Sequence, residues 1–242
     1  MRARSPCADC AVRSRALCSA LPPEQLARLR RLSYRRHYRP GRLILANGQQ
    51  QEWVANVVSG VIKLTKALAD GRQQIVGLLF AADFLGRPFR SHGSCAAEAA
   101  TSVELCCFPR HTFEDLLRRE RQLEQLMLER TLDQVDAARE WMFVLGRRSA
   151  EEKVAALIRL IVERMRVEPG EAPAGPPPIH CDLPLSRTEM ADYLGLRLET
   201  VCRQLKRLRE RGVIATAPGR GITVRDYAAL ERALEREDGS GG

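Results

Sequence analysis

Residues 185–214, LSRTEMADYLGLRLETVCRQLKRLRERGVI, constrain the fold more than any other stretch of the chain. Ser186 stands where it can cap a helix beginning near Arg187, and Glu189, three residues on, completes a capping box. Ala191 is small where two helices must cross closely, Gly195 supplies the left-handed residue a tight turn needs, and Val201 is apolar six residues later. That spacing predicts two helices joined by a turn. In the second, Leu198, Val201, Leu205 and Leu208 form the stripe expected to be buried, leaving Arg197, Glu199, Cys202, Arg203, Lys206 and Arg207 outward. The following GVIATAPGRGITV alternates apolar residues around Pro218 and Gly219 and predicts a two-stranded wing.

The outward set has the chemistry of a DNA-reading surface. Glu199, near the helix N-terminus, can accept a hydrogen bond from a cytosine amino group, and Arg203, one turn on, can bond both major-groove acceptors of guanine. Lys206, Arg207, Arg209 and Arg211 lie further from the tip and suit phosphates. A net charge of +9 fits a polyanionic partner. The excess gathers in residues 197–211 and in residues 28–42, the latter read as a solvated arginine-rich surface. The four histidines, at 37, 92, 111 and 180, are scattered and form no recognisable catalytic arrangement, which argues against an enzyme.

At the other end, CADCAVRSRALC holds Cys7, Cys10 and Cys18 in the pattern C-x2-C-x7-C. Three thiols this close invite a soft metal, and zinc and an iron-sulfur cluster both suit them. Each usually wants four ligands, so the fourth must come from elsewhere. No run of the chain approaches a membrane span or a signal peptide, so the expected compartment is the reducing cytoplasm. There, eight cysteines read better as metal-binding or redox-responsive thiols than as a disulfide framework. Cys181 and Cys95 are expected to be small buried hydrophobes.

Between these ends, PPEQLARLRRL predicts a short helix with proline in its first turn. From Tyr38 to Pro109, short apolar runs are punctuated by glycines, with Asp70-Gly71 as a hairpin signal, and this predicts an antiparallel roll. From Thr112 to about Leu145 the period becomes helical. From Leu128 onward its apolar seam alternates spacings of four and three, the pattern of a helix that packs against its copy in a second subunit. Trp141 and Phe143 flank the seam as expected packing residues. A second helix is predicted over about 150–166, then a Pro/Gly-rich linker, VEPGEAPAGPPPIH. The fold class is thus α+β. The expected partition is a cysteine-rich segment at 1–21, a β-roll at 22–110, a dimerisation helix at 111–146 and a winged helix-turn-helix at 147–242.

Cysteine box, glycine-punctuated roll, long helix and winged helix-turn-helix together resemble the Crp/Fnr family of bacterial transcription regulators, in particular its oxygen-sensing FNR members and their FnrL branch. The most specific pieces are the box and ADYLGLRLETVCRQL, which is similar to the family's ETxSR recognition motif. The resemblance implies a fourth ligand late in the roll, three residues before a proline, which is Cys106 in TSVELCCFP. It further implies an oxygen-labile [4Fe-4S] cluster on Cys7, Cys10, Cys18 and Cys106, a homodimer on operator DNA, and contact with RNA polymerase through the hairpin at Ala69, Asp70, Gly71 and Arg72. The implied DNA contacts are Glu199, Cys202, Arg203, Lys206, Arg197 and Thr200. Cys202 replaces the motif's serine, and a thiol is the poorer hydrogen-bond partner. Cys107 adjoins Cys106, but alternation along a strand should send it to the opposite face. The stretch FLGRPFRSHGSCAAEAA lacks the glycine-glutamate and arginine-serine pairs that hold cyclic AMP in Crp, so no cyclic nucleotide is expected. The competing readings are a thiol- or zinc-based regulator with the same DNA output and, from another class, an iron-sulfur enzyme or electron carrier.

Overall fold

The computed structural model describes Cys7 and residues 10–165, 178–217 and 219–234. The chain divides into two units, Met1–Val135 and Asp136–Gly242. Most of the expected linker, and Pro218 of the expected wing, fall outside the described residues.

In the first unit a 3-10 turn, Leu17–Ala20, leads into α1 (Pro23–Leu32), which carries proline at its start. Eight strands follow: β1 (Tyr34–Tyr38), β2 (Leu43–Leu45), β3 (Trp53–Ser59), β4 (Ile62–Ala67), β5 (Gln73–Leu79), β6 (Phe84–Leu85), β7 (Ala96–Ala99) and β8 (Val103–Pro109). They form two antiparallel sheets in the orders β1-β8-β3-β6 and β2-β7-β4-β5. Gly71, at φ +86°, turns the β4–β5 hairpin where Asp70-Gly71 predicts it, and Asp70 Oδ2 accepts from Arg72 Nε at 2.8 Å. Gly60 is the glycine that packing demands, because a Cβ there would stand 2.1 Å from the Ser102 carbonyl oxygen.

The roll has two cores because its strands alternate. Inside it, Ala55, Val57, Leu105 and Cys107 pack with Ile62, Leu85 and Ala99. On the outer face, Val54, Val58, Cys106 and Phe108 pack with Val12, Ala16 and Leu17 of the N-terminal segment, Leu29 of α1 and Phe113.

The long helix expected over 111–146 is two helices, α2 (Arg110–Arg119) and α3 (Arg121–Arg147). Glu120 breaks them with an extended backbone, φ −107°, ψ 94°. Phe113, Leu116 and Leu117 hold α2 on the roll, and Leu123, Leu126 and Met127 keep the first turns of α3 on the same outer core. Its seam residues Leu128, Leu132, Val135 and Met142 are exposed on the single chain.

In the second unit, α4 (Ala150–Met165) packs on the helices Leu198–Glu210 and Tyr227–Arg232. After it come β9 (Ile179–Asp182), α5 (Arg187–Leu194), α6 (Leu198–Glu210), β10 (Ile214–Thr216), β11 (Gly221–Val224) and α7 (Tyr227–Arg232). The wing is three-stranded, in the order β10-β11-β9, where two strands were expected. Ile179 and Cys181, assigned to the linker and to a buried hydrophobe, instead pair with Val224 and Ile222, and Cys181 is half-exposed. Cys95, also expected to be buried, is half-exposed as well. Trp141 does pack, stacking on Tyr193 with ring centroids 4.8 Å apart, whereas Phe143 is exposed beneath the Arg148 guanidinium. Among the described residues no helix is long and apolar enough to cross a membrane.

Candidate metal centre and nucleic-acid interface

Cys7, Cys10, Cys18 and Cys106 line one cavity. Three come from the N-terminal segment, whose Val12, Ala16 and Leu17 anchor it in the outer core. The fourth projects from the sheet. The floor of the cavity is apolar, with Leu26, Leu29 and Phe108, while Arg13, Arg30 and Asn56 complete its wall. Cys107 is not part of it: that side chain is fully buried inside the roll. The void measures about 20 Å³, room for about one water molecule. Among the described residues no three His, Cys, Asp or Glu side chains cluster tightly enough to hold a single metal ion.

Strand register explains who faces the cavity. Cys106 pairs with Arg35 on β1 and with Asn56 on β3, so the three project from the same face of the sheet. Burial pushes the Cys18 and Cys106 thiols each up to about 11. The neighbouring thiols push the same way, since each thiolate repels the next, while Arg35 and a bond from Ser33 pull Cys106 down. The Cys18 and Cys106 thiols stay protonated until a positive centre binds them, so loading releases protons. The donor set fits a thiolate-bound cluster: four convergent sulfurs, of which Cys7 is pushed up by burial and by Cys10, with Arg35, Arg30 and Arg13 only partly opposing that rise.

The reading head is built by its caps. Glu189 N–H donates to Ser186 Oγ at 3.2 Å and Ser186 N–H to Glu189 Oε2 at 2.7 Å, the reciprocal pair the sequence predicts. Gly195 closes α5 in the left-handed region at φ +62°. Arg197, Glu199, Cys202, Arg203, Lys206 and Arg207 of α6 and its N-cap are all exposed, and Thr200 is half-buried. Leu198 departs from the expected buried stripe, being 41% exposed at the first turn. Its place inside is taken by Gln204, at 4%. Val201, Gln204, Leu205 and Leu208 are the buried residues of α6, the helix that packs on α4 and α5, and Leu198 stands at its first turn.

Residues 152–233 match the description Crp-like helix-turn-helix domain, and residues 35–120 match Cyclic nucleotide-binding domain. The transcriptional activator protein FnrL of Cereibacter sphaeroides is 44% identical over 96% of this chain and 94% of its own. The chain belongs to the Crp/Fnr family of transcription regulators. The nitrogen fixation regulation protein FixK of Bradyrhizobium diazoefficiens is 37% identical over 93% of this chain and 92% of its own. The solved structure of FixK2 from Bradyrhizobium japonicum superposes with a TM-score of 0.73 at 28% identity, covering 87% of this chain and 99% of that one. As a Crp/Fnr regulator the chain is a DNA-binding protein of a dimeric family, not an enzyme.

Within this Crp/Fnr chain, sequence reasoning missed Asn56 and the arginines of the cavity wall. The signal for Asn56 was present, a lone amide in the apolar run WVANVV. Arg30 carried none, because residues 28–42 are arginine-rich throughout, and Arg13 carried none because it lies unremarked within the cysteine box. Contrary to expectation, residues 84–100 do contain an arginine-serine pair. Arg90-Ser91 is adjacent there, in the turn before β7, where Arg90 is exposed and Ser91 Oγ bonds His92 Nδ1 at 2.8 Å.

Proposed function

We propose that the protein is an oxygen-responsive regulator that holds an oxygen-labile [4Fe-4S] cluster on Cys7, Cys10, Cys18 and Cys106. In low oxygen it binds palindromic operator DNA in the cytoplasm as a homodimer, activating or repressing genes of anaerobic and microaerobic metabolism. The observation that carries the reading is the convergence of these four cysteines, separated by as many as 99 positions, on one arginine-rimmed cavity. The 44% identity to a protein named FnrL supports it independently.

When bound, the cluster supplies an oxygen-reactive redox centre. The chain's own residues do the rest. Cys106 belongs to the sheet and Cys7, Cys10 and Cys18 to the N-terminal segment, so filling the site ties that segment to the roll. The same segment meets α3, where Arg130 Nη2 donates to the Arg15 carbonyl at 3.3 Å. Changes in how the segment is held therefore reach the helix whose Leu128, Leu132, Val135 and Met142 offer a seam to a second copy. On DNA, Glu199 and Arg203 read base edges, Arg197, Thr200 and Cys202 flank them, and Lys206 with Arg207 meets phosphates. The tip at Ala69, Asp70, Gly71 and Arg72 is exposed and available to RNA polymerase. The roll holds no cyclic nucleotide in this reading, because Ile44, Leu45, Ile62, Leu79 and Leu85 fill its interior.

The deciding experiment measures operator binding and the visible spectrum of anaerobically prepared protein before and after air. Joint loss of the iron-sulfur absorbance and of operator affinity is expected. Stoichiometric zinc in place of iron and sulfide would overturn the cluster.

A further inference from the structure

Asn56 is the odd residue of β3. Val54, Ala55, Val57 and Val58 around it are apolar and buried, and Asn56 is itself only 2% exposed. Its Oδ1 has no hydrogen-bond partner. An unpaired buried amide is costly, so a position that needed only filling would be better served by leucine or valine. Register gives the side chain its direction. Asn56 stands opposite Cys106, and directly opposed residues of an antiparallel pair leave the sheet on one face. That face is the four-cysteine cavity, and apart from the thiols Asn56 is the one uncharged polar side chain among its described lining residues.

We propose that the Asn56 carboxamide donates an Nδ2–H hydrogen bond to the Cys106 thiolate or an adjacent cluster sulfide, and so sets how readily the cluster is oxidised. The inference rests on the cluster reading above. With Cys106 as a thiol, the free Oδ1 can accept its S–H. With Cys106 as a thiolate, donors are needed, and a half-turn of the terminal torsion exchanges the amide's oxygen and nitrogen without changing its shape. Hydrogen bonds to cluster sulfurs withdraw electron density and raise the reduction potential, making the cluster harder to oxidise. Arg13 and Arg30 act by charge from the cavity wall and Arg35 from the adjoining strand, whereas Asn56 acts from the buried side, where water does not compete.

The test compares the full-length protein with Asn56→Leu, which keeps the volume and removes the donor, and Asn56→Ser, which keeps a shorter one. Each is reconstituted anaerobically and analysed for iron and sulfide. The reduction potential is then measured, together with the rate of visible bleaching in air-saturated buffer. Expected are equal iron contents, bleaching about tenfold faster in Asn56→Leu, a more negative potential, and intermediate values for Asn56→Ser. Identical rates and potentials at equal iron content overturn the proposal and mean that Asn56 serves only a buried water. Should Asn56→Leu fail to fold, Asn56→Ser carries the comparison, with the deuterium shift of the Fe–S stretching bands as its readout: a shift as large as wild type's sinks the proposal. A wild-type protein that takes up no iron and sulfide overturns the cluster reading itself, a result distinct from any difference between variants.

Discussion

Cys106 and Cys107 are neighbours in β8 and leave it on opposite faces, the first toward Cys7, Cys10 and Cys18, the second into the sealed interior of the roll. Cys106→Ser should therefore abolish iron and sulfide uptake with little change in fold. Cys107→Ser should retain uptake while lowering stability by about 1–3 kcal/mol, because it buries a hydroxyl among Ala55, Leu85 and Leu105. Iron and sulfide analysis with thermal unfolding checks both, and the reverse pattern would show that the wrong neighbour was assigned.

Arg203 is exposed on α6, one turn from Glu199, and should carry base discrimination. Arg203→Ala is expected to cost about 1–3 kcal/mol of preference for operator over mismatched DNA. Lys206→Ala should instead weaken all sequences alike and reduce the salt slope by about one. Fluorescence anisotropy against operator and scrambled duplexes across a salt series separates the two effects. Equal losses on both duplexes for Arg203→Ala would remove it from the base-reading set.

Leu132 lies in the exposed seam of α3, 55% open on the single chain. A charge there should not disturb the fold but should oppose burial against a second copy. Leu132→Glu is expected to sediment as a monomer with unchanged circular dichroism and weakened operator binding. An undisturbed dimer would move the interface off this seam.

A second capping box, at the start of α4, makes the DNA-binding unit sensitive to acid. Burial raises the Glu152 pKa, yet the Ser149 amide at 2.7 Å and Arg148 Nη1 at 2.8 Å outweigh it and hold the carboxyl below its ordinary 4.5. A depressed pKa means that the carboxylate stabilises the fold above pH 4.5, and that this contribution is lost as pH falls below it. Glu152→Gln should cost about 1 kcal/mol at neutral pH and flatten the acid limb of the stability profile. Denaturant titrations at pH 7 and pH 4 check the sign, which fails if the variant is equally acid-sensitive.

The clearest parts of the sequence were those fixed by short-range rules. Ser186, Glu189 and Gly195 act within one helix turn, so their cap and left-handed end were legible from spacing alone. Gly71 likewise marks its own hairpin. The break at Glu120 was not legible, since no glycine or proline interrupts the helical period there and the apolar residues on either side of it, Phe113, Leu116, Leu117 and Leu123, meet only in the folded outer core. The third wing strand was missed for a similar reason. Ile179 to Asp182 follow the proline-rich stretch directly, and only pairing with β11 makes them a strand.

What the sequence determined by itself was therefore local and periodic: the two-helix head, the roll of short strands, the apolar seam, and three cysteines in search of a fourth. Tertiary structure alone decided which groups meet. Strand alternation and register put Arg35, Cys106 and Asn56 in one row and turned Cys107 away. Packing of Val12, Ala16 and Leu17 brought the N-terminal cysteines over that row. Spacing cannot encode such a meeting, because it depends on side chains distant in sequence burying one shared face.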